Sequence, residues 1–119
     1  MNLQPHDGFA ITVLAAPGTP TALICIDGDI DMAASAALSD ATDRLSAAAP
    51  ASVVIDLVGV TFACATLLTF LACLRQRLPA DSTMLLCRPP AATLRLLRMT
   101  GMDQIATLRA DLPMAEARP

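Results

Sequence analysis

Residues Val53 to Leu71, VVIDLVGVTFACATLLTFL, decide the fold. The run from Val53 to Leu57 is compact and rich in β-branched residues, the composition of a strand paired on both sides and buried on both faces. Gly59 breaks it. From Thr66 onward the period changes: Leu67, Leu71, Leu74 and Leu78 recur at helical spacing and share one stripe of an α-helix. Cys64, Ala65 and Thr66 therefore stand at that helix's N-terminus. The first backbone N–H groups there have no internal partner, and the helix dipole adds partial positive charge. A phosphorylated hydroxyl is stabilised in such a place, and its charge changes what the surrounding surface binds.

Outward from this segment, strands and helices alternate. Phe9 to Leu14 and Ala22 to Ile26 read as two strands joined by the turn Pro17-Gly18-Thr19-Pro20. Asp27 to Asp31 reads as an acidic turn, followed by a helix whose stripe is Ala34, Leu38, Ala41, Leu45 and Ala48 and which Pro50 stops. After the central strand and second helix come a loop at Pro79 to Ser82, a strand at Thr83 to Cys87, and a third helix that Pro89-Pro90 starts and Gly101 ends. Ile105 to Leu108 is expected to be a short last strand or an irregular edge. The tail from about residue 110, with two prolines and little periodicity, is expected to be a frayed helix or disordered. The order predicts one α/β domain over 1–119, a sandwich with a mixed sheet: parallel neighbours covered by helices, and an antiparallel hairpin at the start.

Composition narrows the function. With 119 residues the chain is long enough for one core and no second domain. A net charge of −3 with neither Trp nor Tyr lacks the basic excess and stacking platforms of a nucleic-acid binder. The N-terminus, MNLQPHD, lacks a secretory pattern, and the apolar run from Phe62 to Leu74 is shorter than the roughly 20 residues that span a bilayer. A soluble, cytoplasmic protein without membrane insertion is expected.

Catalytic and metal chemistry find little support. No Ser-His-Asp or Cys-His set stands at recognisable spacing, no glycine-rich phosphate loop is present, and Glu116 is the only Glu. Asp27, Asp29 and Asp31 have the spacing that begins a calcium loop, but Met32 and Leu38 stand where that loop needs glycine and glutamate. Asp31 reads instead as a helix N-cap. The four cysteines form no C-x-x-C pair and His6 is the only histidine, so no metal and no other cofactor is expected. Cys25, Cys73 and Cys87 read as small core residues. Cys64, at a helix N-terminus, is the cysteine whose pKa that position can lower, although burial is its plainer reading. Asp56, at a strand end, reads as a turn hydrogen-bonding group.

The pattern resembles the STAS domain, the family of bacterial anti-sigma-factor antagonists and of the cytoplasmic ends of sulphate transporters. Members carry Asp-Leu-x-Gly-Val-x-Phe, one residue, then Asp-Ser-Ser/Thr-Gly-Leu opening a helix; Asp56, Leu57, Gly59, Val60 and Phe62 match. Gly28 to Ala33, GDIDMA, is similar to the family's Gly-Glu-Leu-Asp before its first helix. Leu97 to Asp103, LRMTGMD, is similar to its Thr-Gly-Leu-Asp exit. The likeness runs from about Leu23 to Leu108. The departure falls on the switch itself: Cys64-Ala65-Thr66-Leu67 replaces Asp-Ser-Ser/Thr-Gly. Ala65 cannot be phosphorylated. Thr66 keeps the second hydroxyl and is the candidate phosphoacceptor; its plainer reading is a helix-capping or first-turn threonine that accepts a backbone N–H. Leu67, in phase with Leu71, is expected to be buried.

The resemblance implies a non-enzymatic module that binds an anti-sigma factor, or a serine kinase of that type, and so releases a sigma factor. Its contacts would come from Asp27, Asp29 and Asp31 and from the start of the helix at Cys64. The altered site would make binding constitutive or leave control to Thr66 alone. The alternative is a STAS-like structural adaptor in a transporter or sensory complex, with no phosphorylation cycle.

Overall fold

A computed structural model describes residues 8–16 and 18–113. These form β1 (Phe9–Leu14), β2 (Thr21–Ile30), α1 (Ser35–Ala48), β3 (Ser52–Asp56), β4 (Val60–Ala63), α2 (Ala65–Arg77), β5 (Thr83–Cys87), α3 (Ala91–Met99) and β6 (Thr107–Arg109). Short 3₁₀ turns at Met32–Ala34 and Met102–Gln104 lead into α1 and out of α3. The sheet order is β1-β2-β3-β5-β6, with β4 paired to β2; β1 is antiparallel to β2 and the other pairings are parallel. The α/β sandwich with a mixed sheet is the architecture expected from the alternation of periods.

β3 sits at the centre because both of its faces are apolar. Val53 and Ile55 join Ile24, Ile26 and Leu86 under Leu38 and Leu45 of α1 and Leu67, Leu71 and Leu74 of α2. Val54 points the other way, into a smaller cluster with Leu23 and Cys87 that Leu112 helps to cover. The leucine stripe of α2 is thus the inner face of that helix, and Leu67 is fully buried, as its phase requires. α1 ends on Ala49, which takes the left-handed conformation (φ 46°) usual for glycine and donates to the carbonyls of Leu45 and Ser46; Pro50 follows.

The expected turn from Asp27 to Asp31 needs correction. Strand β2 continues through Ile30, so Asp27 and Asp29 lie in a strand and only Asp31 lies beyond it. The cause is β4, which was not expected. After Asp56 the chain turns over only three residues, Val58 and Gly59 at its centre, and Val60–Ala63 then pairs with the second half of β2. Two glycines stand at tight points of this region. A Cβ on Gly28 (φ 90°) would collide with the backbone of Gly8 and Phe9, and one on Gly59 would collide with the Asp27 carboxylate. The Gly28 N–H donates to the Gly59 carbonyl at 2.8 Å and ties the two strands together at that point.

Smaller differences have simple causes. The last strand is Thr107–Arg109, slightly later than expected. Cys87 is buried and Cys25 half-buried, but Cys73 is exposed: it lies on α2 one residue before Leu74 and faces a groove rather than the core. The N-terminal segment with His6, Pro17 of the expected turn, and residues 114–119 of the tail lie outside the described residues.

Truncation of Leu67 removes a fully buried side chain from the α2 stripe. Urea denaturation of Leu67→Ala is expected to show a loss of about 2 to 5 kcal/mol; a loss below about 0.5 kcal/mol would mean that Leu67 faces solvent.

Candidate functional site

The C-terminal ends of the parallel strands bring the candidate residues together. Ile30 of β2 pairs with Ala63 of β4, and the next residue, Cys64, is the N-cap of α2. The Cys64 thiol donates to the Ile30 carbonyl at 3.6 Å. The acidic end of β2 and the start of α2, far apart in sequence, are therefore immediate neighbours. Asp29 accepts a 2.5 Å hydrogen bond from the Thr61 hydroxyl. The register makes this possible: Gly28 opposes Val60 and Asp29 opposes Phe62, which leaves Thr61 as the extra residue of a bulge. Asp31 accepts from the Ala33 N–H at 3.0 Å and caps the 3₁₀ turn before α1, the capping role expected of it. All three acids are exposed, and among the described residues none pairs with an arginine.

The switch segment is uneven. Ala65 is exposed, Cys64 and Thr66 are half-buried, and Leu67 is in the core. Thr66 does not cap the helix. Its hydroxyl lies 3.8 Å from the Cys64 sulfur and no backbone N–H reaches it, because Thr66 is already inside α2 and the N–H groups ahead of it enter the helix ladder. Cys64 makes no side-chain cap either, so the first N–H groups of α2 keep their hydrogen-bonding capacity. Thr66 and Ala65 line one end of a groove of about 420 Å³ between α1 and α2, with Ser35 and Ser39 across from them. Arg77 closes the far end of this groove, paired at 3.1 Å with Asp43 of α1.

Three apolar side chains near this edge are exposed, which was not expected from the sequence. Met32 is 83% exposed, Phe62 53% and Val58 51%. Phe62 sits opposite Asp29 in the sheet, and Met32 follows Asp31 directly. Exposed large hydrophobics beside unpaired carboxylates form a surface suited to a protein partner. Strand alternation would put Phe62 on the face of buried Val60; the bulge at Thr61 turns it instead to the exposed side opposite Asp29, which residue order alone does not show.

A second polar centre lies at the ends of β3 and β5. Asp56 accepts from the Val58 N–H at 3.3 Å, the turn role expected of it, and also binds Arg88 through two hydrogen bonds of 3.1 and 2.6 Å. The carboxylate is nearly buried and Arg88 about one-third exposed. Arg88 adopts φ 55°, uncommon for a residue with a Cβ, and its N–H donates to the Arg109 carbonyl at 2.8 Å. The hydrogen bond to Asp56 raises the guanidinium pKa above its already high ordinary value. Beside them, burial in the first place and the Asp56 charge in the second push the Cys87 thiol up to about 11. Among the described residues no group of three or more His, Cys, Asp or Glu is placed to hold a metal, and no helix is long and apolar enough to cross a membrane.

A family model described as "Mlab, STAS domain" matches residues 17–110, which takes in every strand but β1 and all three helices. The chain belongs to the STAS domain family. Among solved structures it is similar to an anti-sigma factor antagonist from Mycobacterium paratuberculosis, with 27% identity, a TM-score of 0.71, and 91% of this chain and 90% of that one covered. It shares its fold with the anti-sigma factor antagonist SpoIIAA in its unphosphorylated form, at 16% identity, a TM-score of 0.71 and coverage of 91% and 92%. The same holds for an anti-sigma-factor antagonist (STAS) domain protein from Planctomyces limnophilus, at 20% identity, a TM-score of 0.61 and coverage of 90% and 93%. A search of the curated proteins gave no match.

The buried Cys87 thiol carries a pH signature. In the unfolded chain a cysteine releases its proton near 9.0, whereas in this STAS domain Cys87 holds its proton to about 11. Between these values the unfolded state binds fewer protons, so stability falls as pH rises and the contribution is fully present below pH 9. Chemical denaturation under reducing conditions is expected to show a loss on the order of 2 to 3 kcal/mol across this window, and Cys87→Ala to remove that slope. An equal slope in the variant would assign it to other groups.

Proposed function

We propose that this STAS domain is a non-enzymatic interaction module that binds an anti-sigma factor of the serine-kinase type in the cytoplasm and thereby releases a sigma factor. The observation that carries the reading is the junction of β2, β4 and α2. It places the acids Asp27, Asp29 and Asp31, the exposed Phe62 and Met32, and the first turn of α2 on one edge of the domain. A docking surface needs apolar area for affinity and charge for orientation, and this edge offers both. Similarity to the Mycobacterium antagonist supports the choice of partner.

In this reading binding is constitutive. The exposed position of the switch segment is held by Ala65, which has no hydroxyl, and the Thr66 hydroxyl lies half-buried against the Cys64 thiol. Thr66 is the only phosphoacceptor the segment offers, and a phosphate there would be received by the free N–H groups of α2. The same exposed alanine favours a second reading, a structural adaptor in a transporter or sensory assembly that has no phosphorylation cycle.

One experiment separates these readings. The purified domain is mixed with its neighbouring anti-sigma kinase and ATP, and complex formation is followed by calorimetry alongside intact mass. Binding without mass gain is expected, with Phe62→Ser weakening the complex about tenfold to thirtyfold, the effect of truncating an interface anchor, at unchanged folded stability. A phosphate-sized gain abolished by Thr66→Ala would make Thr66 a working switch and contradict the constitutive form. Neither binding nor modification would leave the adaptor.

A further inference from the structure

Four of the eight arginines, Arg88, Arg95, Arg98 and Arg109, fall between residues 88 and 109 beside a single aspartate, Asp103, in a chain whose net charge is −3. The fold gathers three of them. Arg88 just beyond β5, Arg98 on α3 and Arg109 at the end of β6 line one pocket of about 290 Å³, to which Pro89, Leu94 and Leu108 add an apolar wall. We propose that this pocket binds a small, soluble phosphate-bearing molecule, its phosphate held by the three guanidinium groups and its remainder against Leu94 and Leu108.

Two of the arginines are already held in place. Asp56 binds Nε and Nη2 of Arg88, and Asp111 binds Nε and Nη2 of Arg109, so each guanidinium is fixed by a two-point contact that leaves Nη1 uncommitted. Fixing the donors beforehand reduces the ordering that a ligand must impose. These two charges are balanced by their carboxylates. Arg98 is not: among the described residues its guanidinium has no hydrogen-bond or ion-pair partner. The pocket thus combines two oriented donor groups with one uncompensated cation, and arginine's planar fork suits tetrahedral oxyanions. The location, beyond the C-terminal ends of parallel strands β3, β5 and β6, is where open α/β sheets place ligands. None of these residues belongs to the β2, β4 and α2 edge, so the inference is independent of the proposed partner.

The test uses the full chain, isotopically labelled, titrated with inorganic phosphate at constant ionic strength and followed by amide chemical shifts. Saturable shifts are expected at Arg88, Leu94, Arg98 and Arg109. Arg98→Gln, an exposed position whose change leaves the fold intact, should weaken binding about tenfold, the scale of one charge-assisted hydrogen bond. Arg95→Gln, on the same helix but outside the pocket, should stay within about twofold, because an exposed charge away from the site is screened. Non-saturating shifts, wild-type binding by Arg98→Gln, or equal weakening by Arg95→Gln would overturn the site. Co-sedimentation with phosphatidic acid vesicles separates the sources of phosphate. None is expected; sedimentation that Arg98→Gln abolishes would overturn the soluble ligand in favour of a lipid headgroup.

Discussion

The arrangement of this domain depends on one crossing of backbone, where the Gly28 N–H meets the Gly59 carbonyl at 2.8 Å. Up to Cys25 the strand β2 takes its parallel partners from β3; from Gly28 it takes them from β4, the continuation of the same chain after a short turn. Each glycine also stands at a tight point of its own: a Cβ on Gly28 would meet the backbone of Gly8 and Phe9, and one on Gly59 the Asp27 carboxylate. By this crossing β2 is kept extended to Ile30, β4 is laid along it, and the start of α2 is delivered beside the acidic end of β2. Without it, residues 27 to 31 and residues 60 to 67 would have no reason to share a surface.

The C-terminal ends of the parallel strands carry two separate centres of different character. At the β2, β4 and α2 junction the carboxylates are exposed and, among the described residues, in no ion pair, with Phe62 and Met32 beside them. At the β3, β5 and α3 junction the carboxylate of Asp56 is nearly buried and fully engaged by Arg88. Burial explains the contrast. A carboxylate removed from water requires a partner, whereas exposed ones remain solvated and free to meet a partner surface. The first centre is acidic and apolar and fits a protein; the second is basic and concave and fits a small anion.

Much of this was legible in residue order. The buried run at Val53 to Leu57 and the leucine stripe from Leu67 announce a central strand and an inner helix, and the structure has both because hydrophobic period reports directly on burial. Three motifs in sequence carried the family. What could not be read was set by pairing between distant segments. β4 is four residues long and mostly exposed, so its period is too short to separate strand from turn. The extension of β2 through two aspartates depends on that invisible partner. Arg88 gives no local sign of its role, because only the register that places Asp56 opposite Cys87 brings it to the Asp56 carboxylate. Thr66 looked like a cap by residue type, but the N-cap position fell two residues earlier, on Cys64.

The central claim is that partner binding occurs at the edge organised by the Gly28–Gly59 crossing. Hydrogen–deuterium exchange of the domain, alone and with the anti-sigma kinase, tests it most directly. The account predicts new protection confined to two stretches, Asp27 to Met32 and Phe62 to Leu67, which are separate in sequence and adjacent in the fold. Protection centred on α3, or on the outer sheet face around Leu23 and Leu112, with these two stretches unchanged, would contradict it.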